Sequence, residues 1–437
     1  MMRAHNFVVG LALVCCATAS FAEKRRLTVD EAVQLAVKQN PRLRGASLRQ
    51  AGGHDAARSV GARLLPSVHL YEEYQHYKDP FAVDFGRVLG NPNIPPFAVR
   101  DRDTNTFSAS ADQPLLGLGH IAEDYLAQRD AAEASDANVT AARAQLVESV
   151  RSGFLRYFEA RALGEIARSS EAELGEQVTV AEAKLKAGVL TNADLLRVQV
   201  AAANARQQEI VAESQATVTR AQLLAALGLR PSDPDVELVE PTALIGDGSG
   251  LPADSAAADE AQRKRPEIAR DKLLGSSADH TRKARWWALL PEIDAEAGYV
   301  RVDGQAFAPK DSLYVGARAS WAIWEWGAGF FAARAAAKQA EAAGAELASE
   351  ESQVAAEVQS SLAQSRAAAV VVEVAEKTIA SAQEAYRVTE ALVKAGSATT
   401  TDLLDAQSAL TGARLNLARA RYELALQRVA LARVMGE

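Results

Sequence analysis

The stretch KAGSATTTDLLDAQ, Lys394 to Gln407, interrupts a long Ala-rich helical pattern near the end of the chain, and a close copy, KAGVLTNADLLRVQ, spans Lys186 to Gln199. Each copy contains a glycine, which can take the left-handed conformation that ends a helix. A threonine follows and then, three residues later, an aspartate, a spacing typical of the N-cap of a new helix. The two copies therefore predict two helical hairpins, each turning at one short break.

The two breaks belong to an internal duplication of the chain. From about residue 112 onward the first half matches the second at a constant offset of 208 positions, so that Gly188 corresponds to Gly396. Further upstream, Pro66 corresponds to Pro291 at an offset of 225, which leaves 17 extra residues in the first half. We predict three parts, a first structural repeat over residues 23–228, a linker over residues 229–255 and a second structural repeat over residues 256–437.

Each repeat contains two short segments in which apolar and polar residues alternate, the pattern of a half-buried strand. In the last segment, one face carries Leu313, Val315, Ala317, Ala319 and Trp321. A Leu-Leu-Pro sequence before each pair of segments ends the preceding helix, because proline cannot continue it. We predict four strands, at about residues 67–77, 104–113, 292–302 and 312–322, with a long loop rich in proline and glycine between the first two.

The segments that follow the strands predict very long helices. The first, from His120 to Ala187, would extend ~100 Å at 1.5 Å per residue. The last helix carries a leucine every seven residues and alanine at the second seam position, which predicts close helix packing. These leucines are Leu403, Leu410, Leu417, Leu424 and Leu431. An ordinary dimeric coiled coil would share the seam, but it does not explain the strands or the duplication. We predict helix breaks at residues 188–191 and 396–399.

The N-terminus and the composition indicate an exported protein. Residues 1–22 contain an arginine, a short apolar run and the small-x-small sequence Ser20-Phe21-Ala22, which predict a secretory signal peptide rather than an anchor helix. Both cysteines lie inside it, so we expect a mature chain without disulfides, and Val14 before Cys15 does not favour lipidation. The net charge of −8 argues against nucleic acid as a partner. No later stretch reaches about 18 consecutive apolar residues, the length of a membrane-spanning helix.

All five tryptophans lie in two places beside the predicted strands. Trp286 and Trp287 precede the third strand, and Trp321, Trp324 and Trp326 stand at the end of the fourth. Tryptophan at the ends of strands forms the aromatic girdle of membrane barrels, whereas the alternative is a group of core tryptophans in a soluble protein. Four strands are too few to close a barrel, which needs at least about eight. Membrane strands in this chain would therefore require several copies of it.

Several segments resemble a known family. LTVDEAVQLAVKQNPRL after the predicted signal peptide, the two KAG…T…DLL breaks, and the repeat ends LAALG and LARVMG are similar to those of the TolC-type outer-membrane efflux family. The resemblance covers essentially the whole mature chain. It implies a mixed α and β membrane protein of the outer membrane, in which three chains form one 12-stranded β-barrel that continues into the periplasm as an α-helical barrel.

The resemblance also implies partners and a task. The partners would be a second and third copy of the chain, a periplasmic adaptor protein, an inner-membrane pump and outer-membrane lipid. The task would be the exit duct of a tripartite efflux or type I secretion system. No cofactor is implied. The sequence does not identify the exported substrate, the class of pump or the adaptor.

The breaks carry the candidate site residues. Capping accounts for Asp194 and Asp402, because a carboxylate in the first turn accepts from backbone amides and favours the helix dipole. Asp405 is different, because the first repeat has Arg197 at the corresponding position. By resemblance, Asp402 and Asp405 match aspartates that line the family's entrance constriction, where acid rings bind cations. The alternative for Asp405 is a solvated surface charge.

Two further roles follow from the same resemblance. Family members with a latched entrance have an arginine two residues after the second glycine and a tyrosine a few residues before it, but this chain has Ala398 and Val393 there. We therefore hypothesise that Arg197 pairs with Asp402 or Asp405 of a neighbouring helix. The family docks its adaptor at the breaks, which correspond here to Gly188, Val189, Leu190, Gly396, Ser397 and Ala398.

An enzyme is not indicated by the sequence. The histidines after the signal peptide are scattered, and HIAED at His120 resembles a polar helix start more than a metal site. Two other classes remain as alternatives, a soluble periplasmic coiled-coil adaptor and a structural envelope protein without a pore. The adaptor would show one helical hairpin between β-rich domains. Fractionation of membranes separates the first alternative from a channel, and conductance in a planar bilayer separates the second.

Overall fold

The computed structural model of the chain describes residues 25–232, 236–246 and 254–437. The predicted signal peptide, residues 1–22, lies outside the described residues, as does part of the predicted linker. The helices are α1 Val29–Gln39, α2 Pro41–Ala62, α3 Phe85–Leu89, α4 Leu118–Lys186, α5 Asn192–Ala226, α6 Thr242–Gly246, α7 Asp254–Lys264, α8 Pro266–Trp287, α9 Ala328–Lys394 and α10 Thr400–Val434. The strands are β1 Arg25–Leu27, β2 Ser67–His76, β3 Phe81–Val83, β4 Phe97–Pro114, β5 Val236–Leu238, β6 Glu292–Gln305 and β7 Asp311–Ser320.

The same order of elements occurs twice. In the first half, a 22-residue helix leads through the antiparallel strands β2 and β4, with β3 and α3 between them, to a helix of 69 residues and then one of 35 residues. In the second half the corresponding helices have 22, 67 and 35 residues. Pro41 and Pro266 both stand at the first helical position, where the missing amide hydrogen costs nothing. The mixture of helices and strands predicted from the sequence is therefore confirmed.

The long helices form two hairpins. Helix α4 packs along α5, α9 packs along α10, and α10 also packs against α4, which joins the hairpins. Nearer the sheet, α2 and α8 lie along α4, and α8 also contacts α9. Among the described residues, no helix has both the length and the apolar character that crossing a membrane requires.

The main sheet is antiparallel with the strand order β2-β4-β6-β7, and β3 adds to the upper part of β4. Strand β4 begins at Phe97, well before the predicted start near residue 104. The segment expected to be only a loop contains β3 and α3, because backbone pairing with β4 continues through residues whose composition is typical of turns. Strand β7 ends at Ser320, since the following residues up to Trp324 leave the ladder.

The core lies at the middle of the molecule, where the ends of both hairpins meet. Phe154 and Leu155 of α4 and Leu223 and Leu224 of α5 are fully buried there, together with Leu27 of β1. Strand β1 pairs in parallel with β5, whose Val236 and Leu238 join the same core. A second cluster packs α9 and α10 against α7 and α8. Part of the predicted linker is thus a strand that closes the core.

Candidate functional site

The first helix break turns at Gly188, whose φ of 72° is in the left-handed region. The amide of Gly188 donates to the carbonyl of Leu185, and that of Val189 donates to the carbonyl of Lys184, both at 2.9 Å. A Cβ atom at Gly188 would meet nothing within 4 Å, so glycine is required by the backbone conformation and not by lack of space. Val189 is 75% exposed. The first break therefore presents an apolar side chain to its surroundings.

The second break repeats this geometry with smaller side chains. Gly396 has a φ of 74°, and the amide of Ser397 donates to the carbonyl of Leu392 at 2.9 Å. Ser397 is exposed and Ala398 is half-buried. The two breaks lie side by side, because Leu404 of α10 packs against the cluster of Ala181, Leu195 and Val198 in the first hairpin. This arrangement brings together the residues that the sequence placed at the two breaks.

Asp402 caps α10 in a reciprocal capping box with Thr399. Its carboxylate accepts from the Thr399 hydroxyl at 2.7 Å and from the Thr399 amide at 2.8 Å, and the Asp402 amide donates back to the hydroxyl at 3.2 Å. Because these bonds favour the charged carboxylate, the hydroxyl and then the amide of Thr399 hold the pKa of Asp402 below its ordinary value. The side chain is nonetheless exposed at the surface of the break.

Asp194 occupies the corresponding position with a different set of partners. It receives a hydrogen bond from the Thr191 hydroxyl at 2.5 Å, and its amide donates to that hydroxyl at 3.2 Å. Its other carboxylate oxygen accepts from Arg197 Nη1 at 3.5 Å. The same nitrogen donates to Thr401 Oγ1 of α10 at 3.1 Å. Arg197 therefore connects the first hairpin to the second.

The hypothesis for Arg197 named Asp402 or Asp405 as its partner. Within one described chain, its partners are Asp194 and Thr401 instead. Asp405 is exposed one turn after Asp402, and no hydrogen bond or ion pair joins it to another described residue. Asp405 is thus a carboxylate that the fold of the single chain does not use.

A ladder of polar side chains between α4 and α10 was not foreseen from the sequence. Ser170 and Thr411 share a hydrogen bond of 3.2 Å, and Glu173 accepts from Gln407 at 3.1 Å and from Arg414 at 3.3 Å. Gln407 is only 2% exposed. The signal that could have revealed the ladder is the spacing of Gln407, Thr411 and Arg414, which places all three on one helix face. Below the apolar core, the hairpins are therefore joined by hydrogen bonds.

The main sheet has one apolar and one polar face. The register pairs Leu70 with Ala109, Ala109 with Tyr299, and Tyr299 with Leu313, so these residues share a face. On it, Leu313 and Val315 are 83% and 84% exposed. Such exposure of contiguous apolar side chains marks a surface that contacts lipid or protein.

The opposite face of the sheet is charged. Asp112 stands directly opposite Glu296, a pairing of like charges that would destabilise the strands without compensation. His69 Nδ1 lies 3.4 Å from the Asp112 carboxylate, and Arg318 donates to Glu296 at 2.6 Å. Each acid thus has a cationic or polar partner on the strand beyond it.

The tryptophans lie together at the foot of the second strand pair. Trp321 Nε1 donates to the carbonyl of Leu289 at 3.2 Å. Trp324 and Trp326 meet edge to face with ring centroids 5.7 Å apart, and Trp286 meets Phe330 in the same way at 6.3 Å. Trp321, Trp324 and Trp326 are exposed, and Trp286 and Trp287 are partly so. These rings form a band below the apolar face of the sheet.

Among the residues that the structure describes, no three histidine, cysteine, aspartate or glutamate side chains are arranged so that they could hold a metal ion. In the HIAED segment, Glu123 forms a hydrogen bond of 2.6 Å with His280 Nδ1 across the contact between α4 and α8. The Glu123 side chain therefore contributes to the packing of these two helices.

Comparison with known proteins identifies the fold and the family. The model of the outer membrane efflux protein family matches residues 32–229 and 257–437. No match was found among curated proteins. The structure of the outer membrane protein VceC from Vibrio cholerae is similar, with a TM-score of 0.79 and 16% identity over 93% of this chain and 96% of that one.

Two further solved structures share the fold. The MtrE outer membrane channel of Neisseria gonorrhoeae, in its open state, has a TM-score of 0.78 and 18% identity over 93% of this chain and 88% of that one. CusC has a TM-score of 0.80 and 17% identity over 93% of this chain and 92% of that one. Likeness at such identities shows the fold alone, whereas the family match covers most of the chain. The chain therefore belongs to the outer membrane efflux protein family, and it is an efflux channel protein of the outer membrane that extends into the periplasm.

Proposed function

We propose that three copies of this chain form one continuous exit duct. Each copy would contribute β2, β4, β6 and β7 to a 12-stranded barrel, and the helical hairpins would continue the duct as an α-helical barrel in the periplasm. The observation that carries this proposal is the main sheet, whose strands β2, β4, β6 and β7 have one exposed apolar face, and in which no described strand pairs with the outer edge of β2 or of β7. Lipid does not tolerate unpaired edges, so pairing of β7 with β2 of the next copy resolves both.

The long helices support the same head-to-tail contact between copies. Helix α9 exposes Val370, Val371 and Val374, and α5 exposes Ile210 and Val211. Counted at 1.5 Å per residue from the ends of the helices at the breaks, the α5 patch lies about 27–29 Å away and the α9 patch about 30–36 Å away. Exposed apolar patches within about one helical turn of each other in height on α9 and α5 suit packing of α9 on α5 of the neighbouring copy. We further propose that residues 23–228 and 256–437 are two structural repeats, joined by a linker over residues 229–255.

The helix breaks would form the periplasmic end of the duct. Asp402 and Asp405, with Asp194 and Arg197 beside them, would line the constriction there, and three copies would place six exposed carboxylates from Asp402 and Asp405 around it. The adaptor protein would dock on the break residues, which are Gly188, Val189, Leu190, Gly396, Ser397 and Ala398. The inner-membrane pump, of an efflux or type I secretion system, would deliver cargo through that adaptor. The Trp286, Trp287, Trp321, Trp324 and Trp326 band would mark the periplasmic surface of the membrane.

Reconstitution tests the proposal directly. The purified chain is expected to run as a trimer by native mass spectrometry and to give discrete conductance steps in a planar bilayer. Cation over anion permeability measured in a salt gradient should fall in the Asp402→Asn, Asp405→Asn double variant. Recovery of the protein in the soluble periplasmic fraction, or a trimer that inserts without conductance, would overturn it in favour of an adaptor or a structural envelope protein, respectively.

A further inference from the structure

Near the sheet, four helices of the chain pack side by side in the order α2, α4, α8 and α9. Helices α2 and α9 stand at the two ends of this row, and each has an outer side that the described residues do not cover. Asp55 of α2 and Lys338 of α9 expose 73% and 72% of their side chains. We propose that Asp55 forms an ion pair with Lys338 on the next copy of this chain, and that this pair selects the helix that docks on α9.

The correspondence between the two halves of the chain identifies the contact, and here the inference rests on the proposed function, which sets the second half of one copy against the first half of the next. Helix α2 corresponds to α8, since Pro41 matches Pro266 and both helices have 22 residues. Helix α4 corresponds to α9, since their last residues, Lys186 and Lys394, match. The contact of α4 with α8 therefore corresponds to one of α9 with α2, which head-to-tail assembly would form between copies.

Inside the chain, the contact of α4 with α8 contains a buried acid. Asp130 of α4 is only 3% exposed. His280 of α8 lies 3.8 Å from Asp130 through Nε2 and 2.6 Å from Glu123 through Nδ1. Beside them, Ser277 Oγ donates to the carbonyl of Ala127 at 2.8 Å, which shows how closely the two helices approach. An acid on α4 thus faces a basic side chain on α8.

The corresponding positions of α9 and α2 carry the same kinds of side chain on exchanged helices. Lys338 of α9 stands where α4 has Asp130, and Asp55 of α2 stands where α8 has His280. If α2 docks on α9 in the register of α8 on α4, the lysine and the aspartate face each other. Opposite charges that meet across a contact between subunits fix its register and exclude other partners.

The residues beside the proposed ion pair permit close packing. Gly52 and Ala335 stand where Ser277 and Ala127 touch inside the chain, and both are exposed. A Cβ atom at Gly52 would meet nothing within 4 Å, so the chain itself leaves this side of α2 open. The geometry of the internal contact can therefore recur between copies without a steric clash at this point.

The present partners of the two charges do not compete strongly with the proposed pair. Asp55 pairs with Arg58 at 3.2 Å, and Lys338 pairs with Glu341 at 2.7 Å, each along its own helix. Exposed pairs of this kind contribute little to stability. Either charge is therefore available to a partner on the next copy.

The exchange of charges gives the two contacts different preferences. If α2 took the place of α8 on α4, Asp55 would meet Asp130, and these two acids would repel each other. If α8 took the place of α2 on α9, His280 would meet Lys338, and the attraction between acid and base would be lost. Because like charges across a contact cost several kcal/mol, α8 is assigned to α4 of its own chain and α2 to α9 of the next copy.

Reversal and exchange of the two charges test the pair. The full chain is purified in detergent, and the fraction of dissociated subunits is measured by native mass spectrometry. Asp55→Lys and Lys338→Asp should each raise this fraction at least about tenfold, because like charges then meet. The double variant with both changes should recover most of the loss, since opposite charges face each other again. The matched control is Arg49→Asp on α2, whose counterpart in α8, Leu274, is itself 42% exposed, and it should change the fraction by less than about twofold.

A disulfide tests the register independently of charge. Both native cysteines lie within the first 16 residues, in the predicted signal peptide, so an engineered pair is the only source of cross-links in a chain that lacks it. Gly52→Cys combined with Ala335→Cys should give a covalent trimer on a non-reducing gel, because the corresponding internal positions touch. Gly52→Cys combined with Glu341→Cys is the control, since the counterpart of Glu341 in α4, Glu133, stays 47% exposed beside α8.

The outcomes separate the inference from the proposed function. A conducting trimer in which the charge exchange does not recover the loss, or in which the first cysteine pair does not cross-link, would overturn the ion pair and leave the channel intact. Cross-linking without any effect of the charge reversals would show that α2 docks on α9 without the pair, which also overturns the inference. An unaltered chain that is monomeric in native mass spectrometry and does not conduct would overturn the proposed function and the inference with it.

Discussion

The two helix breaks have the same backbone conformation, but their aspartates make different contacts. Both turn at a glycine in the left-handed conformation and restart at a threonine N-cap. At the second break, Asp402 completes a reciprocal box with Thr399 and needs nothing else. At the first, Asp194 shares its carboxylate with Arg197, which reaches across to Thr401. The two breaks thus share the turn, but the first links the two hairpins through Arg197, whereas at the second no described side chain pairs with Asp405.

The largest expected effect tests the part that the breaks share. Gly188→Ala and Gly396→Ala should each lower the free energy of unfolding by about 1–2 kcal/mol, because an alanine in the left-handed region brings Cβ against the backbone. The measurement is denaturant unfolding in detergent followed by circular dichroism. Gly412→Ala is the control, since this glycine lies inside α10 with open space around it and should gain about 0.5–1 kcal/mol. Equal effects at all three positions would show that the breaks do not need a positive φ.

The next prediction concerns the caps and pH. The pKa of Asp402 is lowered in the folded chain, so its stabilising effect is full above the ordinary aspartate pKa of about 3.9 and is lost as the pH falls through the folded value. Asp402→Asn should therefore remove one component of acid destabilisation. Hydrogen exchange of the amides after the second break, followed by mass spectrometry between about pH 5 and pH 2.5, measures it. Thr399→Ala should have the same effect, because it removes the hydroxyl that lowers the pKa. An unchanged acid profile in both variants would contradict the capping box.

The link between hairpins predicts a smaller effect. Arg197→Ala and Thr401→Ala should each cost at most about 1 kcal/mol, because the Arg197 side chain is largely exposed. The two effects should not add in the double variant, since both remove one hydrogen bond. Opening of the tips, measured by hydrogen exchange at both breaks, should rise in all three variants, and the double variant should match Arg197→Ala, which removes the contacts with both Asp194 and Thr401. Additive effects, or unchanged single-channel conductance in Arg197→Ala, would show that this arginine does not hold the entrance.

The smallest effect on stability is expected at Asp405. Asp405→Asn removes no hydrogen bond or ion pair among the described side chains and should change the free energy of unfolding by less than about 0.5 kcal/mol. If the proposed constriction is correct, the same change lowers cation permeability in a salt gradient. Asp194→Asn is the matched comparison. It should clearly lower the free energy of unfolding and change cation permeability only slightly. Equal stability losses in both would remove the distinction between the two breaks.

The local features of the fold were the most predictable from the sequence. Proline and glycine set the ends of helices through constraints within a few residues, so the positive φ at Gly188 and Gly396 follows from the pattern alone. The resemblance to the efflux family is confirmed by the family match. The upper part of β4 was missed, because pairing of Phe97 with Val83 overrides a turn-like composition.

Contacts between distant parts of the chain were the least predictable. Arg197 and Thr401 are 204 positions apart, and Ser170 and Thr411 are 241 apart. The sequence around each residue does not predict its partner, because a polar side chain on a helix face can form a hydrogen bond with any polar neighbour that packing brings close. The placement of the site residues in the constriction and at the docking surface stays a prediction.

The parallel pair of β1 and β5 has a consequence for how the chain is assembled. Strand β5 comes directly after the first half, and its Val236 and Leu238 join Leu27 of β1 in the central core. Most of the central core is therefore complete once residue 238 has emerged, and the second half then adds Tyr422, Ala425 and Val429 from α10. A chain that crosses a membrane from its N-terminus can thus fold in two stages, with a closed first half serving as the template on which the second half docks.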